Sequence, residues 1–456
     1  MLSFIKKHKI EIAIFSLAVA VRLALFFVCL SANNGNVITT VRGQDFYFEV
    51  SRNLLLGNGF SVANVPPFNP YFYGMPVYPY FLFLLLSLTG SYAVVSMIQL
   101  LLSSVIPLIG MRLARLITPP DQKFKNIPIV TGLLLALAPY QVLHSFIFFT
   151  ETVFTVFFGI FLILFLNFLK KPTMRLIVLS GLFLGLSTLT KQTVQYVPIL
   201  VIIFVLWQFR KEWKKELFVK LGCFLLIFFV VLAPWLYRNY KTFNVVGLGS
   251  GASFNIFYTL LPSVRAIDNH STFQEEQKKL LIDTKDPMFI ESSKKAVIEI
   301  SHRPIALVKL CTLSAFTFFT HDGMLTVLQS TGMATNIRLE RPAILLLFSS
   351  PWEFVKIVWG YLHTSLAFVL LFRLAWIGIA FCFILGLYQI FRRRLFSPQI
   401  LFSVIIVFYF MLTTMVNGLS VNARFRMPVE PIIFIIACVG FITLYRGIKD
   451  LIYEHS

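Results

Sequence analysis

The residues best suited to chemistry follow the first apolar segment of the chain. Residues 42–59 read RGQDFYFEVSRNLLLGNG, and the closing glycines predict the end of a helix. At helical spacing the side chains separate onto two faces: Phe46, Tyr47, Val50 and Leu54 against Asp45, Glu49 and Arg52. The pattern predicts an amphipathic helix on the membrane surface with Asp45 in its first turn. An aspartate at this position can also serve only as a helix cap.

Three further charged residues lie within or at the ends of apolar segments, where a charge is costly. They are Arg22 in VAVRLALFF, Glu151 in FFTETVF and Lys191 in LSTLTKQT. Arg22 requires an acidic or polar partner, whereas Lys191 has the alternative of extending its ammonium group to the membrane surface. Glu151 is predicted on the same side of the membrane as Asp45, so these two carboxylates are candidates for one site.

Two arginines precede the last apolar segment, in the stretch NGLSVNARFRMPVEP. Arg424 and Arg426 are predicted outside the cell, against the usual distribution of basic residues. Arg238, in PWLYRNY, has the same predicted geometry. Guanidinium groups at this interface suit a lipid-linked phosphate or ordinary anionic headgroups, and the sequence leaves both open.

A proline-rich aromatic loop separates the first external helix from the next apolar segment. It reads PPFNPYFYGMPVYP over residues 66–79 and includes Tyr71 and Tyr78. Such a loop predicts either one wall of a lipid or sugar pocket or an aromatic belt at the membrane surface.

Membrane-spanning helices must position these residues. Apolar residues make up 57% of the 456 and charged residues 13%, and the mean hydropathy is +0.80, values typical of an integral membrane protein. The net charge of +20 is concentrated at the ends of apolar runs, which predicts a positive-inside distribution and not nucleic-acid binding. The five cysteines have no paired spacing and indicate neither a disulfide framework nor a metal site. The sequence contains no Gly-rich phosphate loop, Ser/His/Asp order or metal-ligand cluster, so chemistry on nucleotide sugars or ATP finds no support.

Basic loops determine the predicted topology. Ten spans are predicted, with both termini in the cytoplasm and with Asp45 and residues 237–303 outside. The approximate spans are 11–30, 91–116, 127–145, 150–169, 175–190, 194–209, 217–236, 366–391, 398–416 and 428–446. Residues 76–88 are too short to cross and are predicted to dip into the outer leaflet. Region 304–350 is predicted either as interfacial helices or as two further spans, which sets an upper limit of twelve.

The chain is accordingly divided into three parts. Residues 1–236 form a transmembrane module with a first external loop at 31–90. Residues 237–350 form an external loop with interfacial helices, including a small polar helical subdomain at 264–303, and residues 351–456 form the C-terminal spanning helices.

Several stretches occur in an order that resembles the GT-C superfamily of membrane glycosyltransferases, and within it the group of protein O-mannosyltransferases and lipid A aminoarabinose transferases. They are AVRLALFF, GQDFYFEVSRNLLLGNGF, PYFYGMPVYPYFLFLL, FFTETVFTVFFGI, GLFLGLSTLTKQT, PWLYRNYKTFN and ARFRMPVEP. The resemblance spans nearly the whole chain and implies an all-α GT-C-like bundle with external amphipathic helices. It also implies a sugar donor on a polyprenyl (or dolichyl) phosphate, used at the external face, and an acceptor lipid, glycan or protein.

The resemblance also implies roles for the candidate residues. In that family an acidic residue of the first external loop lies at the reaction centre, and Asp45 is the matching position. The implied role is a general base that takes the proton of the acceptor hydroxyl while the anomeric carbon is attacked with inversion. Glu151 is implied as an assisting acid, and the arginines of ARFRMP as groups that offset charge on the departing lipid phosphate. Further candidates are Arg238 and Lys191 for the phosphate and Glu49, Arg22, Tyr71 and Tyr78 as accessory residues.

One departure from the family concerns a second acid. Many members carry two adjacent acids, whereas here Asp45 is followed by Phe46. Glu49, one helical turn away, is the candidate substitute. The departure leaves a divalent metal ion open as a cofactor, and no metal ligand is assigned.

Two other functions fit this composition. One is a transporter or lipid flippase, and the other is an O-antigen ligase or polymerase that uses a lipid-pyrophosphate donor. Transporters commonly show internal repeats and polar residues near the midplane, whereas the candidate polar residues here gather at the outer surface. The lack of a long external insert, such as eukaryotic protein mannosyltransferases carry, favours the plasma (inner) membrane of a bacterium with a periplasmic active site.

Overall fold

The computed structural model describes residues 8–119, 121–211, 214–280, 286, 288–334 and 350–454. Within these ranges every regular element is a helix. The α-helices are Lys9–Ala32, Val37–Val41, Tyr47–Leu55, Val77–Thr89, Tyr92–Ser103, Ile106–Ile117, Ile127–Leu137, Pro139–Leu143, Glu151–Lys170, Met174–Thr190, Val197–Gln208, Lys215–Phe243, Gly251–Asn255, Leu261–Asp268, Phe273–Lys278, Ile290–Ser301, Pro304–Thr320, Met324–Ser330, Pro351–Leu362, Ala367–Arg392, Pro398–Thr414 and Glu430–Glu454. Short 3-10 segments lie at Gln122–Phe124, Gln192–Val194, Met415–Ser420 and Ala423–Val429, and a π-helical turn lies at Ile256–Leu260.

Among the described residues, seven helices are long and apolar enough to cross a bilayer, which requires about 20 residues. They are Lys9–Ala32, Tyr92–Ile117, Glu151–Lys170, Lys215–Phe243, Ala367–Arg392, Pro398–Ser420 and Ala423–Arg446. The pair Ile290–Ser301 and Pro304–Thr320, bent by 103°, would make an eighth. The chain is therefore an all-α polytopic membrane protein in its described parts, as the sequence predicts.

The ten predicted spans all coincide with helices, but three of them do not reach the length of about 20 residues that a crossing requires. Met174–Thr190 has 17 residues and Val197–Gln208 has 12. The predicted span 127–145 is interrupted at Ala138, because Pro139 disfavours a helical conformation in the residue before it.

Arg22 finds the polar partners that its position inside a span requires. Its Nε donates to Ser103 Oγ at 3.1 Å. Its Nη1 donates to the carbonyls of Ala18 and Ala136 at 3.2 and 3.3 Å. The side chain is fully buried, and none of these partners belongs to the site described below.

The segment predicted to dip into the outer leaflet is the helix Val77–Thr89. It has 13 residues, about 20 Å at 1.5 Å per residue, which is too short to cross a hydrocarbon core of about 30 Å. Gly90 ends it in the left-handed conformation, with φ of 62°.

The first external helix differs from the prediction. It covers Tyr47–Leu55, so Asp45 precedes the helix instead of lying in its first turn. Glu49 is buried although the amphipathic pattern put it on the polar face, whereas Phe46 is exposed. The burial of Glu49 has an electrostatic reason. Arg42 forms an ion pair with Glu49, and a paired carboxylate can be buried.

The helix Glu151–Lys170 lies at the centre of the bundle. Most of its side chains are buried, and its half-buried positions, 157, 160, 163, 164 and 167, lie along one face. Two of its phenylalanines pack on the Pro398–Thr414 helix, with ring centroids 5.2 Å apart for Phe158 and Phe410 and 4.5 Å apart for Phe165 and Phe402. This packing holds the helix in place, and Glu151 at its first residue is held with it.

Short helices between the two sets of spans share a small apolar core of Phe257, Leu261, Val264, Ala296, Ile300, Ala306 and Leu310. Arg265 joins the helices Leu261–Asp268 and Ile290–Ser301 by donating to both carboxylate oxygens of Glu299 at 2.6 Å. The choice between zero and two crossings for 304–350 depends on residues 335–349, which lie outside the described residues.

Gly386 allows the helix Ala367–Arg392 to approach the helix Glu430–Glu454. A Cβ at Gly386 would lie 2.1 Å from the carbonyl oxygen of Ile436, whereas a Cβ at Gly378 meets nothing within 4 Å. We expect Gly386→Leu to lower the free energy of unfolding by about 1–3 kcal/mol, because a backbone carbonyl cannot move aside. Gly378→Leu is the matched control and should change it by less than about 0.5 kcal/mol. Denaturation in detergent measures both, and equal losses would contradict this close helix contact.

Candidate active site

Three side chains from distant parts of the sequence meet at one end of the bundle. Arg424 donates from Nε to Glu151 Oε1 at 2.5 Å and from Nη2 to Oδ2 of Asp45. These contacts join residues 273 and 379 positions apart, so tertiary folding alone creates them. One guanidinium therefore bridges the two carboxylates that the sequence made candidates for one site.

Glu151 is the buried carboxylate of the pair. Its side chain has no exposed surface, and its Oε1 also accepts a hydrogen bond from Lys191 Nζ at 2.9 Å. Lys191 therefore turns inward instead of extending to the membrane surface, and its ammonium lies 5.4 Å from the ring centre of Phe425. Since a buried carboxylate is stable only when it is paired, two cations on one oxygen account for the position of Glu151.

Asp45 is the accessible carboxylate. Its side chain is 38% exposed, against 19% for Arg424. Oδ2 pairs with Arg424, and no group in the described ranges donates to Oδ1. The capping interpretation is wrong, because Phe46 occupies the N-cap position and no side chain caps the helix.

A close contact between two loops positions Asp45. The Phe148 N–H donates to the Val41 carbonyl at 2.7 Å. A Cβ at Gly43 would lie 2.7 Å from the Phe148 carbonyl oxygen and 2.8 Å from the Phe149 ring. A residue with a side chain would push these loops apart, so Gly43 is a positioning residue that the sequence analysis missed.

Two polar side chains support the loop 144–150, which precedes Glu151. Gln99 Nε2 donates to the Ile147 carbonyl at 2.7 Å, and the Tyr78 hydroxyl donates to Gln99 Oε1 at 2.6 Å. Tyr78 is fully buried. It is therefore neither a pocket wall nor part of an aromatic belt, and it supports the loop instead.

The 3-10 segment Ala423–Val429 carries Arg424. The Ala423 N–H donates to His321 Nδ1 at 3.3 Å. Burial lowers the pKa of His321, so its ring stays neutral and Nδ1 remains an acceptor. The guanidinium carbon of Arg424 lies 4.2 Å from the ring centre of Phe149, which fixes the plane of the guanidinium on the loop beside Gly43.

Aromatic rings of the proline-rich loop form a wall beside Asp45. The ring centroids of Phe46 and Tyr71 lie 6.2 Å apart, and those of Tyr71 and Tyr73 lie 6.0 Å apart. Burial and the negative charge of Asp45 raise the pKa of Tyr73 to about 12. The Tyr73 hydroxyl therefore stays protonated near neutral pH and is available as a hydrogen-bond donor.

Arg238 supports this aromatic wall and does not contact Glu151. Its Nη1 donates to the Tyr71 carbonyl at 3.2 Å. Its guanidinium carbon lies 4.7 Å from the Trp235 ring centre and 5.0 Å from that of Phe243. A role at the donor phosphate stays a prediction for Arg238.

The prediction that Arg426 lies at the outer interface is wrong. Its side chain is fully buried, its Nε donates to Glu430 Oε1 at 3.1 Å, and its guanidinium carbon lies 3.4 Å from the Trp376 ring centre. Gln141 Nε2 donates to the other oxygen of Glu430 at 2.6 Å. The spacing of four residues between Arg426 and Glu430 was the sequence signal for this internal pair.

Glu49 also lies apart from the Arg424 contacts, since its carboxylate is paired with Arg42. Among the residues that the structure describes, no three His, Cys, Asp or Glu side chains are grouped to hold a metal ion. Asp45 and Glu151 already share the guanidinium of Arg424. This donor set does not fit a divalent ion.

Residues 69–237 match the family described as dolichyl-phosphate-mannose-protein mannosyltransferase. The matched stretch is just over a third of the chain and contains Glu151 and Lys191, while Asp45 and Arg424 lie outside it. Over these residues the match confirms the resemblance to protein mannosyltransferases. Among curated proteins, no sequence matches the chain.

Several solved structures are similar to the chain. The apo oligosaccharyltransferase of Archaeoglobus fulgidus has a TM-score of 0.49 and 14% identity, over 95% of this chain and 52% of that chain. The same archaeal enzyme, AglB, with an inhibitory peptide and a dolichol-phosphate has a TM-score of 0.48 and 16% identity, over 95% and 52%. ArnT from Cupriavidus metallidurans bound to undecaprenyl phosphate has a TM-score of 0.39 and 15% identity, over 94% and 77%. The chain spans about half the length of the archaeal enzyme.

The variant Arg424→Gln tests the pairing of Glu151. It leaves a carboxylate without exposed surface next to Lys191 alone, so we expect the free energy of unfolding to fall by about 3–5 kcal/mol. Glu151→Gln in the same protein removes the buried charge and should recover about half of that loss or more. A double-mutant cycle by denaturation in detergent measures the coupling, and strictly additive single effects would argue against the contact.

Proposed function

We propose that this protein transfers a sugar from a polyprenyl-phosphate-linked donor to the hydroxyl of an acceptor lipid, glycan or protein. The observation that carries the proposal is the contact of Arg424 with both Asp45 and Glu151 at one end of a membrane bundle. This contact places the partly exposed carboxylate of Asp45 beside cations that can bind a phosphate. The similarity of residues 69–237 to dolichyl-phosphate-mannose-protein mannosyltransferases supports a donor of this class.

Asp45 is the general base in this proposal. Arg424 holds Oδ2 of Asp45 and leaves Oδ1 without a donor from the described chain. A carboxylate oriented through one oxygen presents the other to an incoming hydroxyl at little cost in reorganisation. The exposed fraction of 38% gives an acceptor access that the buried Glu151 does not offer.

The proposed step is a single displacement with inversion. The acceptor oxygen bonds to the anomeric carbon while the bond from that carbon to the phosphate oxygen breaks. The hydroxyl proton passes to Asp45 Oδ1, and the electron pair of the broken bond leaves on the lipid phosphate. The charge that develops on this phosphate must be stabilised by nearby cations.

Arg424 and Lys191 have hydrogen-bond donors left for that phosphate. Arg424 uses Nε and Nη2 in its two carboxylate contacts, and Nη1 makes no hydrogen bond within the described residues. Lys191 uses one of its three donors on Glu151. Each side chain is 19% exposed, so both are within reach of a ligand at the surface of the site.

Glu151 serves as a positioning residue. Its side chain has no exposed surface, so it cannot touch a substrate in this arrangement. One of its two carboxylate oxygens, Oε1, accepts hydrogen bonds from both Arg424 and Lys191. This shared contact sets the distance between the two cations that would share the phosphate.

We assign the reaction to the external face of the membrane. Glu151 begins the central spanning helix and Lys170 ends it, so the site and the basic loop at 170–171 lie at opposite ends of one helix. Because basic loops favour the cytoplasm, the site is external, and periplasmic in a bacterium. With the ten predicted spans, this assignment gives cytoplasmic termini.

Asp45→Asn tests the proposed base. Membranes containing the variant and a radiolabelled polyprenyl-phosphate sugar should show a turnover reduced by about 100- to 10,000-fold, because the amide cannot take the proton. Retention of the labelled donor by the purified protein should be little changed. Glu291→Gln is the control, since this exposed acid pairs only with Lys294 in the described structure. Undiminished sugar transfer by Asp45→Asn at equal expression would refute the assignment of Asp45 as the base.

Gly43→Ala tests the positioning of Asp45 without touching a charged group. The added Cβ would meet a backbone carbonyl and the Phe149 ring, so the first external loop must shift. We expect turnover to fall by about 100-fold, the scale expected when a catalytic group is displaced by about 1 Å. Gly222→Ala, where a Cβ meets nothing within 4 Å, should keep the parent turnover. Full activity of Gly43→Ala would show that the loop contact does not position the base.

A further inference from the structure

We propose that this protein has a second binding site, for the phosphate headgroup of an anionic membrane lipid, at the end of the bundle opposite Asp45. The site is a cleft of about 750 Å³. Four basic residues line it, and they come from separate parts of the chain: Arg115, Lys125, Lys170 and Arg394.

The cleft is remote from the candidate active site. Lys170 is the last residue of the 20-residue helix that Glu151 begins, which separates the two ends by about 30 Å at 1.5 Å per residue. A ligand in this cleft therefore cannot touch Asp45. The inference concerns a property separate from sugar transfer.

The basic residues of the cleft are mostly without compensating charge. Arg115 pairs with Glu11 at 2.5 Å. Lys125, Lys170 and Arg394 have no carboxylate partner among the described residues. The lining includes one acid, Asp121, and that acid pairs with a lysine outside the lining at 2.7 Å. Three cations thus face one cleft without a neutralising group, which favours an anion.

The remainder of the lining is suited to an amphiphile. Buried apolar side chains form part of the cleft: Leu116, Ile117, Phe124 and Ile400. Thr118 also lines it, and its buried hydroxyl has no hydrogen-bond partner. A phosphodiester with attached hydrocarbon would pair with the cations, the hydroxyl and the apolar surface together, whereas a free phosphate would leave the apolar surface unused. Basic pockets between spanning helices on the cytoplasmic side suit lipid headgroups for this reason.

A general excess of basic residues on the cytoplasmic side would not produce this arrangement. Lys171 and Arg393 are direct neighbours of Lys170 and Arg394 in the sequence, yet neither lines the cleft. The chain therefore offers two pairs of substitutions that remove the same charge from the same two loops and differ only in whether the residues line the cleft.

The test compares lipid binding by the full-length protein and by two double variants. Native mass spectrometry after titration with phosphatidylglycerol or phosphatidylcholine gives the affinity for each lipid. We expect phosphatidylglycerol to bind more tightly than phosphatidylcholine. Lys170→Gln/Arg394→Gln should weaken phosphatidylglycerol binding by about tenfold or more, because two cations that attract the headgroup are lost. Lys171→Gln/Arg393→Gln should weaken it by less than about twofold.

Three results would overturn the proposal. Equal weakening by both double variants would mean that diffuse surface charge binds the lipid. Equal affinity for the two lipids would exclude recognition of an anionic headgroup. Displacement of phosphatidylglycerol by inorganic phosphate at matched concentration would identify a site for free phosphate. The titration contains no sugar donor, so its outcome is independent of the proposed transfer reaction.

Discussion

A carboxylate that has lost all contact with water must be neutralised, and Glu151 is neutralised by two cations from distant segments. Lys191 reaches it from the end of the helix Met174–Thr190, and Arg424 reaches it from the 3-10 segment before the last helix. Because the first six residues of the helix that carries Glu151 are all buried, the carboxylate cannot move out to water. Without these two cations, this fold would leave a buried charge unpaired.

The position of the accessible carboxylate, Asp45, depends on the buried contact between Arg424 and Glu151. Arg424 commits Nε to Glu151, and this sets where Nη2 meets Asp45. The loop that carries Asp45 then packs on the loop before Glu151, where Gly43 permits contact with the Phe148 carbonyl. Asp45, Arg424, Glu151 and their aromatic support therefore form one connected unit, in which the buried Glu151 fixes Arg424 and Arg424 in turn holds Asp45.

The two ends of the bundle differ in how their charges are balanced. At the Asp45 end, two carboxylates and two cations compensate one another in direct contact. At the opposite end, Lys125, Lys170 and Arg394 line a cleft without described carboxylate partners. Compensated charges can be held rigidly in a low-dielectric environment, whereas uncompensated cations at a membrane surface attract anionic headgroups. The chemistry of each end follows from this difference.

The sequence by itself determined the class of protein and the approximate positions of most spanning helices, and it predicted Asp45, Glu151, Lys191 and Arg424 at one end of the bundle. These follow from apolar length and from the charge of loops, which are local properties of the chain. The tertiary structure decided that Arg424 enters the site while Arg426, two residues away, turns into the core to Glu430. It also decided that Glu49 is buried with Arg42, and that Gly43 and Gln99 hold the loops in place. Each of these outcomes depends on a partner or a steric limit contributed by another segment. Residue spacing describes only local geometry, so it cannot predict which distant group makes the contact.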